Sequence, residues 1–148
     1  MDFSTGNPVY QSADLERGYQ SITDSVREIQ VKYHFSPQQT FLLGFSQGAI
    51  MASYTLWKSG EICGGMIALS GRLLPEIDIE NIDEDQYHGK RIFIGHGVDD
   101  AMIPVTSTGP LCLFARKLGI EPTLKFYNTG HSIIEAEIQD ILCFLDQQ

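Results

Sequence analysis

Ser46 stands in the string Gly44-Phe45-Ser46-Gln47-Gly48, between the apolar run Thr40-Phe41-Leu42-Leu43 and a stretch of good helix formers that begins at Ala49. A serine on a sharp strand-to-helix turn lifts its hydroxyl clear of the sheet end. The helix that follows offers backbone N–H groups and a positive dipole end to a developing oxyanion, and the N–H of Gln47 is the first such donor. Glycines two residues before and two after the serine are expected where the chain doubles back and a side chain would collide. The chemistry this arrangement serves is nucleophilic attack on a carbonyl.

A serine hydroxyl is a poor nucleophile until a general base takes its proton, and the base needs a group to orient it. Among four histidines, His131 in Thr129-Gly130-His131-Ser132 follows a strand-like run. On a parallel sheet its loop opens on the same carboxyl end as Ser46. His96, inside Gly95-His96-Gly97, reads as a turn histidine bonded to backbone. His34 lies at a helix end, where a capping or surface role fits, and His88 follows an acidic run with no evident partner. The acid is expected between nucleophile and base in chain order. There the loop His96-Gly97-Val98-Asp99-Asp100-Ala101-Met102-Ile103-Pro104 supplies two neighbours, and spacing alone does not choose between Asp99 and Asp100. Met102 and Ile103 are candidate borders of an acyl pocket.

Other chemistries lack their residues. There is no Gly-x-x-x-x-Gly-Lys-Ser/Thr phosphate loop and no Gly-x-Gly-x-x-Gly dinucleotide turn. Histidines and acids lack zinc-ligand spacing, so neither metal nor cofactor is expected.

The elements that must position these residues are legible as apolar periodicity. Residues 12–34 predict a helix with Leu15, Tyr19, Ile22, Val26, Ile29 and Tyr33 on one face, capped by Ser12 or Asp14. Strands are expected at 40–43, 65–70, 90–97 and 123–127, the first two of them buried, and helices at 49–58, 107–118 and 134–146. Gly119 stops the third of these four helices, and Ile138, Ile141, Leu142 and Leu145 form one face of the last. Residues 70–88 read as an excursion with little regular pattern. Near-continuous apolar strands alternating with helices indicate an α/β fold, a mostly parallel sheet with helices on both faces, in a single domain over residues 1–148.

Composition narrows the setting. The net charge of −9 argues against general attraction to nucleic acid or anionic membrane. Part of it is the run 76–85, expected to be a solvated loop. Cys63, Cys112 and Cys143 each sit among apolar residues and read as buried, reduced thiols. No apolar run is long enough to span a bilayer, and Met1-Asp2-Phe3-Ser4-Thr5-Gly6 has no secretory pattern, so the expected location is cytoplasmic.

With its motifs placed, the chain resembles the phospholipase/carboxylesterase family of α/β-hydrolases, which includes the acyl-protein thioesterases. The matching stretches are Leu43-Gly44-Phe45-Ser46-Gln47-Gly48-Ala49, Ala68-Leu69-Ser70-Gly71, the loop 96–104, and Gly130-His131-Ser132. The resemblance implies Asp100 as the acid, because it stands where the family places that residue, ahead of a short apolar stretch and a proline, here Ala101-Met102-Ile103-Pro104. It implies a cofactor-free serine hydrolase acting on small-molecule or acyl-chain esters or thioesters. Family members also carry upstream strands and a loop supplying a second oxyanion donor, and nothing ahead of Leu15 reads that way. The expectation is therefore an N-terminally shortened α/β-hydrolase whose strand 41–43 becomes a sheet edge. A partner or second copy would cover that edge, and a remnant serving as a binding or assembly module is the alternative to an esterase.

Overall fold

The structure, a computed structural model, describes residues 12–147, so the sequence expectations for residues 1–11 lie outside it. Four parallel strands form one sheet: β1 (Phe41–Phe45), β2 (Gly65–Leu69), β3 (Arg91–Gly97) and β4 (Thr123–Tyr127). Their order in space is their order in the chain, which leaves β1 outermost on one side of the described sheet. The central strand β2 is buried at every position, as its unbroken apolar run requires.

Helices lie on both faces. Helix α1 (Ser12–Tyr33) packs on α2 (Gln47–Lys58), and α2 packs on β1 and β2. Helix α3 (Thr108–Lys117) joins this layer over β3, with Leu111 and Phe114 in the same core as Met66, Ala68, Ile92 and Ile94. The opposite face is covered by α4 (Glu135–Asp146), whose Ile141 and Phe144 meet Ile67, Leu69 and Phe93. The Phe144 ring stands edge-on to Phe41 and Phe93, with centroids 5.9 and 5.6 Å away. Such aromatic pairs add roughly 0.5–1.5 kcal/mol each beyond their buried area.

Several boundaries and faces differ from the sequence expectation. On α1, Leu15 is buried and Tyr19, Ile22 and Val26 pack on the core, whereas Ile29 and Tyr33 are exposed. The last turns are held by polar bonds instead: Gln30 Nε2 donates to Thr40 Oγ1 and to the Ile62 carbonyl. His34, at positive φ of 59°, ends the helix. On α4, Ile138, Leu142 and Leu145 are exposed, and the buried row is Glu137, Ile141 and Phe144. The helix carries two apolar stripes, and the Phe144 contacts select which one faces the sheet. Cys63 and Cys112 are buried, with burial pushing both thiols up, but Cys143 is exposed. Inside the excursion after β2, Leu74, Ile77 and Tyr87 anchor an otherwise irregular segment to the core. Among the described residues no helix is long and apolar enough to cross a membrane.

Candidate active site

Ser46 sits between β1 and α2 with φ 57° and ψ −116°, a conformation that costs a non-glycine residue of order 1–3 kcal/mol. The surroundings enforce it. Its N–H donates to the Leu69 carbonyl at 2.8 Å, extending the β1–β2 ladder by one step. Its carbonyl accepts the first bonds of α2, from Ala49 and Ile50 at 3.1 and 3.2 Å. Gly44 is required by space, since a Cβ there would stand 2.1 Å from the backbone carbon and oxygen of Gly48. Gly48 is not: apart from its chain neighbours and the backbone of its own helix, no described atom lies within 4 Å of where its Cβ would be, which corrects the expectation that both flanking glycines avoid a collision.

His131 comes from the loop between β4 and α4. Two ties flank that loop: the Thr129 N–H bonds the Tyr127 carbonyl at 2.9 Å, and the buried Tyr127 hydroxyl donates to Asp140 Oδ2 at 2.8 Å. Burial and the Asp140 carboxylate together push the Tyr127 pKa up. The imidazole lies against the Phe45 ring, with centroids 4.8 Å apart. Its Nε2 is 2.9 Å from Ser46 Oγ and its Nδ1 is 2.7 Å from Asp100 Oδ2.

Asp100 follows β3 and is buried, while its neighbour Asp99 is exposed, so the structure separates the two acids that spacing left equal. Oδ1 accepts the N–H groups of Met102 and Ile103, both at 2.9 Å. Burial acts most strongly on this carboxyl and favours protonation. The Ile103 N–H, the His131 imidazole and the Met102 N–H together outweigh it and hold the pKa below the ordinary value. An ionised Asp100 only accepts, so His131 Nδ1 carries a hydrogen and the neutral ring presents Nε2 as an acceptor to the Ser46 hydroxyl.

Met102 and Ile103 thus enter the site through their backbone. The Met102 side chain is 68% exposed and that of Ile103 is half-buried. A groove of about 540 Å3 opens instead beside Gln47 and Gly48, with Ile22, Phe41, Leu43 and Met51 among its lining residues. Phe45, Tyr127 and Asp140 support the site without having been singled out from sequence. Only the alternation along β1, placing 41, 43 and 45 on one face, carried a signal for Phe45. His88 is exposed and remote from these contacts, while His96 is a buried residue of β3, in register with Phe126, and bonded to the Ile103 carbonyl; the expected backbone bond is present, but the residue belongs to the strand and not to a turn.

Residues 1–148 match the model of the phospholipase/carboxylesterase family. The chain is 31% identical to acyl-protein thioesterase 1 of Kluyveromyces lactis, over 85% of this chain and 57% of that protein. It is similar to esterase PE8, with 27% identity, a TM-score of 0.75, and coverage of 90% of this chain and 61% of that one. The Bacillus cereus carboxylesterase, at 18% identity, shares the fold, with a TM-score of 0.82 over 94% of this chain and 64% of its own. The chain spans 51 to 65% of the length of the curated acyl-protein thioesterases it matches here. A parallel sheet helical on both faces, a strand-to-helix serine turn and these similarities agree on one assignment: this chain belongs to the phospholipase/carboxylesterase family of α/β-hydrolases.

Proposed function

We propose that this chain hydrolyses carboxylic esters or thioesters, with Ser46 as nucleophile, His131 as general base and acid, and Asp100 as the group that orients and balances the imidazole. One observation carries the reading: an unbroken path of 2.9 and 2.7 Å contacts from Ser46 Oγ through His131 to Asp100 Oδ2. Ser46 Oγ attacks the carbonyl while its proton passes to His131 Nε2. The imidazolium then faces a carboxylate held ionised, and it returns the proton to the leaving alcohol or thiol. The Gln47 N–H stabilises the oxyanion, and loss of one such donor costs about 10²–10³ in turnover. Water repeats the sequence on the acyl-enzyme. The groove beside Gln47 suits a small-molecule or acyl-chain ester, and its apolar lining would favour the acyl side.

Turnover of p-nitrophenyl butyrate and covalent capture by a fluorophosphonate test the reading together. Both are expected in the wild-type chain and lost in Ser46→Ala. Labelling that persists in Ser46→Ala overturns the assignment.

A second reading, a binding or assembly module of low turnover, draws on β1. It is the outermost strand of the described sheet, and Leu43 on it is 56% exposed. Turnover at the background rate by a folded chain, with a stable complex formed through β1, would favour this reading over the first.

A further inference from the structure

His96 takes no part in the proton path, yet its side chain is wholly buried at the end of β3. An imidazole costs free energy to bury unless its polar atoms are used. One of them is used heavily. Nε2 lies 2.8 Å from the Ile103 carbonyl and 3.4 Å from Asp100 Oδ2. Both neighbours are acceptors, so Nε2 must carry a hydrogen and donate. The other nitrogen, Nδ1, is buried with no partner among the described residues. A hydrogen there would be an orphaned buried donor, which is costlier than an orphaned acceptor. The geometry therefore selects the neutral ring with its hydrogen on Nε2.

What this bond holds is the segment that cradles the acid. Between β3 and α3 the chain passes through bends at 101–103, where the side chains of Ala101 and Met102 are exposed and contribute little packing. The N–H groups of Met102 and Ile103 nevertheless have to stay aimed at Asp100 Oδ1. The buried tie from His96 to the Ile103 carbonyl fixes the far end of that turn to the sheet.

We propose that His96 is a positioning residue for Asp100. By holding Ile103, it keeps both backbone donors on Oδ1, so that Oδ2 faces His131 Nδ1. The proposal rests on the reading of Ser46, His131 and Asp100 as the catalytic residues.

The test uses the whole chain with 15N-labelled histidine, in the wild type, His96→Gln and His96→Leu. In the wild type, nitrogen shifts should report His96 as the neutral Nε2–H form, and a strongly downfield proton should mark His131 Nδ1–H on Asp100. Glutamine keeps a donor near the Nε2 position and should preserve that proton, with Ser46 labelling by a fluorophosphonate within about 3-fold of wild type. Leucine removes the donor; it should erase or broaden the proton and slow labelling at least ~10-fold, since small misplacements of a catalytic group are expensive. A wild-type His96 with its hydrogen on Nδ1 overturns the proposal, even if the leucine variant fails to fold. So does a folded His96→Leu chain that keeps the His131 proton and its labelling rate. If wild-type Ser46 is not labelled at all, the hydrolase reading fails separately, and the two nuclear resonance readouts still decide what His96 does.

Discussion

Glu137 lies over Gly95, so that a Cβ at position 95 would stand 2.2 Å from Glu137 Oε1. The carboxyl is buried in the first turn of α4; it accepts the Ile134 N–H, while Oε1 has no partner among the described residues. Burial, reinforced by the charge of Asp140, pushes its pKa up to about 7 against the opposing Ile134 bond. A raised folded-state pKa means that the folded chain binds this proton more tightly than the unfolded chain. The associated stability is full below the unfolded value near 4.5 and is lost as pH rises through about 7. Glu137→Gln should therefore flatten the stability profile between those pH values and raise stability at pH 8 by about 1–3 kcal/mol. Urea unfolding at pH 5 and pH 8 measures this; equal changes at both would refute it.

Asp100 and Asp99 are adjacent in sequence and opposite in environment, one buried and bonded to His131, the other exposed. Asp100→Asn should put an amide where His131 needs an acceptor, reverse the preferred ring tautomer, and lower turnover by about 10³–10⁴. Asp99→Asn should leave turnover within about 3-fold, because rim charges act weakly. Steady-state rates on p-nitrophenyl butyrate separate the two.

Backbone strain at Ser46 predicts a gain in stability from removing its Cβ. Ser46→Gly relaxes a positive φ of 57° and should stabilise the fold by about 1 kcal/mol, after the entropy glycine adds to the unfolded chain. Ser46→Ala keeps the strain and should leave the thermal midpoint nearly unchanged. Both should abolish labelling, so calorimetry on the pair isolates strain from chemistry.

The two glycines of the serine turn should respond differently. Gly44→Ala forces a Cβ into the Gly48 backbone and is expected to cost 3 kcal/mol or more, about the upper range for overpacking. Gly48→Ala enters open space in a helix and should be neutral or stabilising by about 0.5 kcal/mol. Denaturant midpoints compare them directly.

What could be read from the sequence follows the range of the forces involved. The strand 123–127 was legible to the residue, because a short apolar run bounded by turns is a local pattern. So was the serine turn. Which stripe of α4 faces the sheet was not, because Ile138 and Leu142 are as apolar as Ile141. The choice is made by Phe144 meeting Phe41 and Phe93, residues far away along the chain. Asp100 was separable from Asp99 only by resemblance, since burial of one and exposure of the other depends on where His131 arrives from β4. His96 reads in the sequence as a turn histidine bonded to backbone; the bond is present, but the residue lies in β3 and not in a turn. Its approach to the acid depends on a bend whose path has no periodic signature.

Because strand order equals chain order, the hydroxyl, carboxylate and imidazole hang from the ends of β1, β3 and β4 at heights set by the parallel register. One step of slippage along a strand is about 3.3 Å, far beyond the tolerance of a hydrogen bond. The sheet therefore acts as a ruler with coarse graduations: a mispaired chain loses the whole proton path at once instead of weakening it. Capture of Ser46 by a reactive probe would then count correctly assembled molecules one by one, serving as a yes-or-no gauge of folding in a mixed population.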